Sequence, residues 1–208
     1  MSKPESPPRV WMVTGVPGAG KSTIAGALAR SEARGVHIEG DALQRMIVSG
    51  SRPPQPEYDE ECEQQILLNV RNQCLLARSF LDAGHLVVLD YVVTSRHRLR
   101  YYLELLHPAP MGFVMLRPDL SVAARRDEQR PHKTVLPRWR HLAGEMAGEL
   151  SGVGLWLDNG DLSVDETVRQ VRSGVTAATL TVDLLDAFSA RRAPGQRTGS
   201  QAQFPALS

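Results

Sequence analysis

The chain has 208 residues, a net charge of +1 and 42% hydrophobic residues. That length suits one domain with a sizeable core, and the balanced charge gives neither nucleic acid nor an anionic membrane an electrostatic footing. No apolar run approaches the roughly 18 to 20 residues that span a bilayer, and the polar, proline-rich start from Met1 to Arg9 does not read as a secretory signal, so a cytoplasmic location is expected.

The elements are predicted in chain order from apolar periodicity and breakers. Residues 1–8 are expected to be a flexible N-terminus, 9–190 a single domain, and 191–208 a disordered tail without periodicity. Val10 to Val13 is a short apolar strand. It leads into Gly15-Val-Pro-Gly-Ala-Gly-Lys-Ser22, which matches G-x-x-x-x-G-K-[ST] at every fixed position. A helix from Ser22 to Ala33 follows. Val36 to Ile38 is a strand ending at Glu39-Gly40-Asp41. Ala42 to Ser49 is a short helix, for which Asp41 suits the cap, and Gly50 to Pro56 is a loop. Tyr58 to Ala83 has helical spacing at Ile66, Leu67, Val70, Cys74, Ala77 and Leu81. Cys62 and Cys74 on that helix stand about 18 Å apart at 1.5 Å per residue, too far to bridge, and are expected to be free thiols in a reducing compartment.

Leu86 to Leu89 is a strand ending at Asp90, and Ser95 to Leu106 a helix, capped best by Thr94. Gly112 to Leu116 is a strand, Leu120 to Glu128 a helix, Arg138 to Leu150 another, and Gly154 to Leu157 a strand. Ser163 and Glu166 form a capping box for a helix to about Val175, which Thr176 to Ala190 extends. Trp11 and Trp156 fall in strands, where core packing is expected. Apolar strands alternating with helices indicate an α/β fold, a parallel sheet covered on both faces.

In such a sheet ligands gather beyond the carboxyl ends of the strands. Gly15, Gly18, Ala19 and Gly20 bring backbone N–H groups to phosphate oxygens, and the helix that follows adds the positive end of its dipole. Lys21, one of only three lysines against 21 arginines, places a point charge on the outer phosphates, which makes it a catalytic and a nucleotide-binding candidate. Ser22 and Thr23 open the helix. Ser22 and Asp90, a carboxylate closing an apolar strand, are the expected ligands of Mg²⁺. Asp41 is placed to accept the proton of an attacking hydroxyl, and Glu39 is a weaker candidate beside it. Arg125, Arg126 and Arg130 bracket a charged segment ending at Pro131. At least one is expected to stabilise a transferring phosphoryl group; Arg125 and Arg130 are the catalytic candidates and Arg126 a nucleotide contact. Arg96, His97, Arg98 and Arg100 read as a solvated helix face, with contact to an acceptor as the alternative. Trp139 is a candidate pocket wall.

The phosphate loop, Glu39-Gly-Asp41, Asp90 and Arg-Arg-Asp-Glu-Gln-Arg130-Pro131 together resemble the small P-loop kinases, a group including shikimate, gluconate and adenylylsulfate kinases and chloramphenicol phosphotransferase. The resemblance covers about Val10 to Val175. It implies a three-layer P-loop fold, a five-stranded parallel sheet of order 2-3-1-4-5, and a small lid at about 125–137. It also implies ATP or GTP as donor with Mg²⁺, an acceptor hydroxyl near Asp41, an acceptor-binding arginine at Arg140 and a base-binding loop at Asp158 to Asp161. The glycine segment of shikimate kinases after the third strand is missing; Tyr91-Val-Val-Thr94 stands there, which makes Tyr91 an acceptor-side candidate. That acceptor side looks closer to chloramphenicol phosphotransferase and the capuramycin-type antibiotic kinases. A small hydroxylated acceptor is expected, in a monomer or homodimer. The alternatives are a metabolite kinase of sugar-acid or nucleoside type and, behind it, a nucleotide-dependent regulatory NTPase, for which the Asn-Lys-x-Asp motif of guanine-specific switches does not occur.

Overall fold

A computed structural model describes residues 7–54, 59–129 and 141–190. β1 (Val10–Gly15) is buried at every position, as a central strand covered on both faces must be. It lies between β3 (Leu86–Asp90) and β4 (Met111–Leu116); β2 (Gly35–Glu39) flanks β3 and β5 (Leu155–Leu157) flanks β4. The order is β2-β3-β1-β4-β5, all parallel. This is the α/β P-loop arrangement expected from the resemblance.

Handedness assigns the helices to faces. The step from β1 to β2 runs one way across the sheet, while the steps from β2 to β3, β3 to β4 and β4 to β5 run the other. Right-handed crossovers therefore put α1 (Lys21–Arg30) on one face. The opposite face takes α2 (Gly40–Gln44), α3 (Glu60–Asp82), α4 (Arg96–Leu106), α5 (Leu120–Glu128) and α6 (Leu142–Leu150). α7 (Val164–Ser173) returns to pack on α1, where Arg172 bonds the Ser31 carbonyl and hydroxyl and pairs with Glu32. The predicted capping box at Ser163 and Glu166 is present.

The expected helical extension past Val175 is not what forms. After the single turn α8 (Val175–Ala178) the chain makes a sixth strand, β6 (Thr179–Leu180), antiparallel to Met111 and Gly112, and then α9 (Val182–Ala190). β5 pairs only with Val114 to Leu116, so the first half of β4 would otherwise keep an open edge, and β6 covers it. Trp11 lies in the core as expected, its indole against Gly112, where a Cβ would come within 2.5 Å of the ring. Trp156 is instead half-buried, with the Arg117 guanidinium 6.0 Å from its ring centroid. Cys62 and Cys74 are both buried, free thiols on α3. Among the described residues no helix is long and apolar enough to cross a membrane.

Candidate active site

Backbone conformation shapes the phosphate loop. Gly15, Gly18 and Gly20 have φ of 151°, 80° and 91°. A Cβ on Gly18 would lie 2.1 Å from the Ala123 carbonyl oxygen of α5, and one on Gly15 would lie 2.5 Å from that of Leu116. Only glycine fits where the loop is pressed this closely against the chain. α1 starts at Lys21 with Gly20 as its N-cap, no side-chain cap and no acidic residue in its first turn. Its leading N–H groups and dipole are thus left to an anion. Lys21 is 8% exposed, and its Nζ donates to the Val16 carbonyl at 3.2 Å inside the loop. Ser22 and Thr23 are exposed, and Ala19 is buried.

Asp90 ends β3 beside Val13 of β1, 3% exposed. A buried carboxylate and the Ser22 hydroxyl are hard oxygen donors and suit Mg²⁺, which takes few protein ligands and shares oxygens with phosphate and water. His37 of β2 supports Asp90, its Nε2 standing 2.7 Å from Asp90 Oδ2. Sequence reasoning missed His37, and no local signal marks it, because its partner is 53 residues away.

The carboxylates at the junction of β2 and the next helix differ from Asp90 in being more open. Asp41 is exposed and Glu39 half-buried, paired with Arg45 at 3.7 Å. α2 begins at Gly40, one residue before Asp41, so the carboxylate of Asp41 sits in the first turn and is not the cap. The helix also stops at Gln44, short of the expected Ser49. The start is packed closely: a Cβ on Gly40 would meet the Tyr91 ring at 2.5 Å and Gln73 at 2.7 Å, so glycine is required there. A buried polar chain holds the turn. The Tyr102 hydroxyl of α4 donates to Gln73 Oε1 at 2.9 Å, Gln73 Nε2 to Asn69 Oδ1 at 3.1 Å, and Asn69 Nδ2 to the Gly40 carbonyl at 2.9 Å and to Gln44 Oε1 at 3.0 Å. Each member gains because its neighbour is satisfied.

Tyr91 is buried with Cys62 and Ile66 behind this turn. Burial first, and then the Asp41 carboxylate, pushes its phenol up to about 12, so the hydroxyl stays protonated at neutral pH. Arg98 is not on a solvated face. Its Nε donates to Glu63 Oε1 at 3.1 Å, a second nitrogen pairs with Glu63 Oε2, and Nη1 donates to Thr94 Oγ1 at 2.9 Å. Arg96 donates to the carbonyls of Glu149 and Ser151 at the end of α6, and Arg100 bonds Glu104 and Asp186. The helix cap is Ser95, not Thr94, which leaves the Thr94 hydroxyl to Arg98.

On the other side of the loop, Arg126 donates to the Asn159 and Gly160 carbonyls at 3.1 and 3.0 Å, while Arg125 is exposed on α5. Asn159 is 3% exposed, and its Nδ2 donates to the Ala19 carbonyl at 3.0 Å. This stitch between the β5 loop and the phosphate loop was read only as part of a base-binding loop. A cavity of about 640 Å³ opens here, lined by Val16, Leu116, Arg117, Met146, Trp156 and Asp158 among others. It lies three to four strand spacings from β2, about 14–19 Å at 4.8 Å per strand. Arg130, Trp139 and Arg140 lie outside the described residues, as does most of the expected lid.

A family model described as an AAA domain matches residues 10–143. The chain belongs to this family of P-loop kinases. An adenylyl-sulfate kinase of Vibrio cholerae is 29% identical over 182 residues, covering 81% of this chain and 77% of that protein. Solved structures give the same fold. A sugar kinase from Janibacter sp. aligns with a TM-score of 0.61 and 21% identity over 83% of this chain and 96% of its own. The Deinococcus radiodurans tunicamycin resistance protein aligns with a TM-score of 0.59 and 15% identity over 84% and 98%. The chain therefore shares its fold with proteins whose activities differ from one another.

Proposed function

We propose that this P-loop kinase moves the γ-phosphoryl group of ATP or GTP to a hydroxyl of a small molecule, a bulky hydroxylated natural product of antibiotic type. The observation that carries the reading is the exposed Asp41 carboxylate in the first turn of α2, just past β2, a strand two spacings or about 10 Å from β1 and its phosphate loop. An acceptor bound between them presents its hydroxyl to Asp41 and to the phosphoryl group at once, which is where the gain from positioning lies.

The roles follow from the residues. The loop amides and Lys21 hold the phosphates. Ser22 and Asp90 would hold Mg²⁺, which when bound neutralises charge on the transferring group. Asp41 accepts or orients the proton of the acceptor hydroxyl. Arg125 and Arg130 are proposed to meet the transferring group, Arg126 the nucleotide, and Tyr91 and Arg140 the acceptor. Support for a bulky, uncharged acceptor comes from the commitments of Arg96, Arg98 and Arg100 to structural bonds, and from the apolar Met46 and Val48, 70% and 94% exposed just beyond α2.

The test is turnover of Mg·ATP and Mg·GTP against a panel of hydroxylated natural products, sugars and nucleosides, with phosphorylated products read by mass spectrometry. Acceptor-dependent product is expected. Nucleotide hydrolysis indifferent to every acceptor, together with a protein partner captured in one nucleotide state only, would favour a regulatory NTPase instead.

A further inference from the structure

We infer that His37 is the positioning residue that fixes the Asp90 carboxylate for its cation; the inference rests on the kinase reading above. In the β2–β3 register His37 is opposite Val88 and Glu39 opposite Asp90. The 2.7 Å contact of Nε2 with Oδ2 is therefore a diagonal pair on one face of the sheet. That face is the one α1 covers: a Cβ on Gly26 of α1 would stand 3.6 Å from His37 Nδ1. The ring is wedged between the edge strand and the helix whose first turn carries Ser22, and it is 24% exposed against 4% for the Asp90 side chain.

With Nε2 protonated, the ring donates to Oδ2 and leaves the other carboxylate oxygen to a hard cation. The bond also removes the rotation that a carboxylate at the end of a strand otherwise keeps. The ring packs on α1 at ordinary van der Waals distance, since even a Cβ at Gly26 would stand 3.6 Å from Nδ1. Nothing in the phosphate-loop pattern requires a histidine at this place. It is a device of this chain, not of the loop.

The test uses the full chain and a fluorescent ADP analogue, bound first without metal and then along a Mg²⁺ titration. His37→Leu should raise the Mg²⁺ concentration at half-effect about 10- to 100-fold, the usual consequence of removing a hydrogen-bond partner behind a metal-binding carboxylate. Metal-free binding of the analogue should stay within about twofold, since the loop amides and Lys21 are untouched. His37→Gln, which keeps an N–H donor, should recover most of the loss. Asp90→Asn should raise the Mg²⁺ requirement too, and adding His37→Leu to it should do nothing more.

A shift below about threefold for His37→Leu alongside a large one for Asp90→Asn overturns the inference and leaves Asp90 its role. A parallel loss of metal-free binding makes His37 merely structural and also overturns it. No shift for Asp90→Asn removes the metal reading of Asp90, and the inference with it. Failure of the wild type to bind the analogue at all sinks the kinase reading first. Should His37→Leu not fold, His37→Phe, which keeps ring volume without a donor, takes its place.

Discussion

The proposed donor and acceptor halves of the site are built by different means. On the donor side the phosphate loop is shaped by backbone: three glycines at positive φ, a helix start without a side-chain cap, and carbonyls packed within 2.5 Å of where a Cβ would stand. The acceptor half is made of side chains. Tyr102, Gln73 and Asn69 hand a hydrogen-bond chain to the Gly40 carbonyl, and Glu63 fixes Arg98 behind Tyr91. A backbone device tolerates no change of residue type. A side-chain device can be rebuilt with other polar residues, which suits the half that has to match its acceptor.

Four substitutions sharpen or break that contrast. Asp41→Asn should lower kcat by about 10²–10⁴-fold, the span of general acid–base catalysis, with nucleotide affinity unchanged; full transfer activity in this variant would remove Asp41 from the chemistry. Lys21→Met should cost about 10²–10³-fold in kcat/KM through loss of charge stabilisation, whichever acceptor is used. Equal rates with and without Lys21 would deny the donor half its role. Gly18→Ala combines positive φ with a 2.1 Å clash against the Ala123 carbonyl oxygen. A loss of about 3 kcal/mol is expected, or about 6–12 °C in Tm for a domain of this size, along with nucleotide binding. An unchanged melt would show that the loop is free to move away from α5. Gln73→Leu should be the mildest, about 1–3 kcal/mol from partners left unpaired at Tyr102 and Asn69. Its signature is a raised acceptor KM with nucleotide Kd intact; a change in nucleotide binding instead would mean the two halves are not separable.

The same contrast explains what could be read from the sequence. Four of the five parallel strands were legible as apolar runs and β2 from Val36 and Ile38 on either side of His37, and the loop because glycine is demanded position by position. β6 was not legible, since two residues between helices carry no periodicity and pair only because β5 is short. α2 starts at Gly40, ahead of the expected Asp41 cap, because Glu39 takes the cap position and no side-chain cap marks it in the sequence. Arg98 passed as a surface charge because Glu63 lies 35 residues away in sequence, and His37 was silent for the same reason. The Thr94 cap was off by one residue, within the usual uncertainty of helix ends.

The clasp between α7 and α1 has a consequence for the order of synthesis. Glu32 waits for Arg172, 140 residues downstream. At the 5–20 residues per second of translation, α1 stands for roughly 7–28 s before the helix that packs beside it exists. For most of that interval the phosphate loop, whose helix this is, has neither α7 nor the Asn159 stitch to hold it. The nascent chain can collapse around β1 to β4 early, but it gains a finished nucleotide cradle only in its last third.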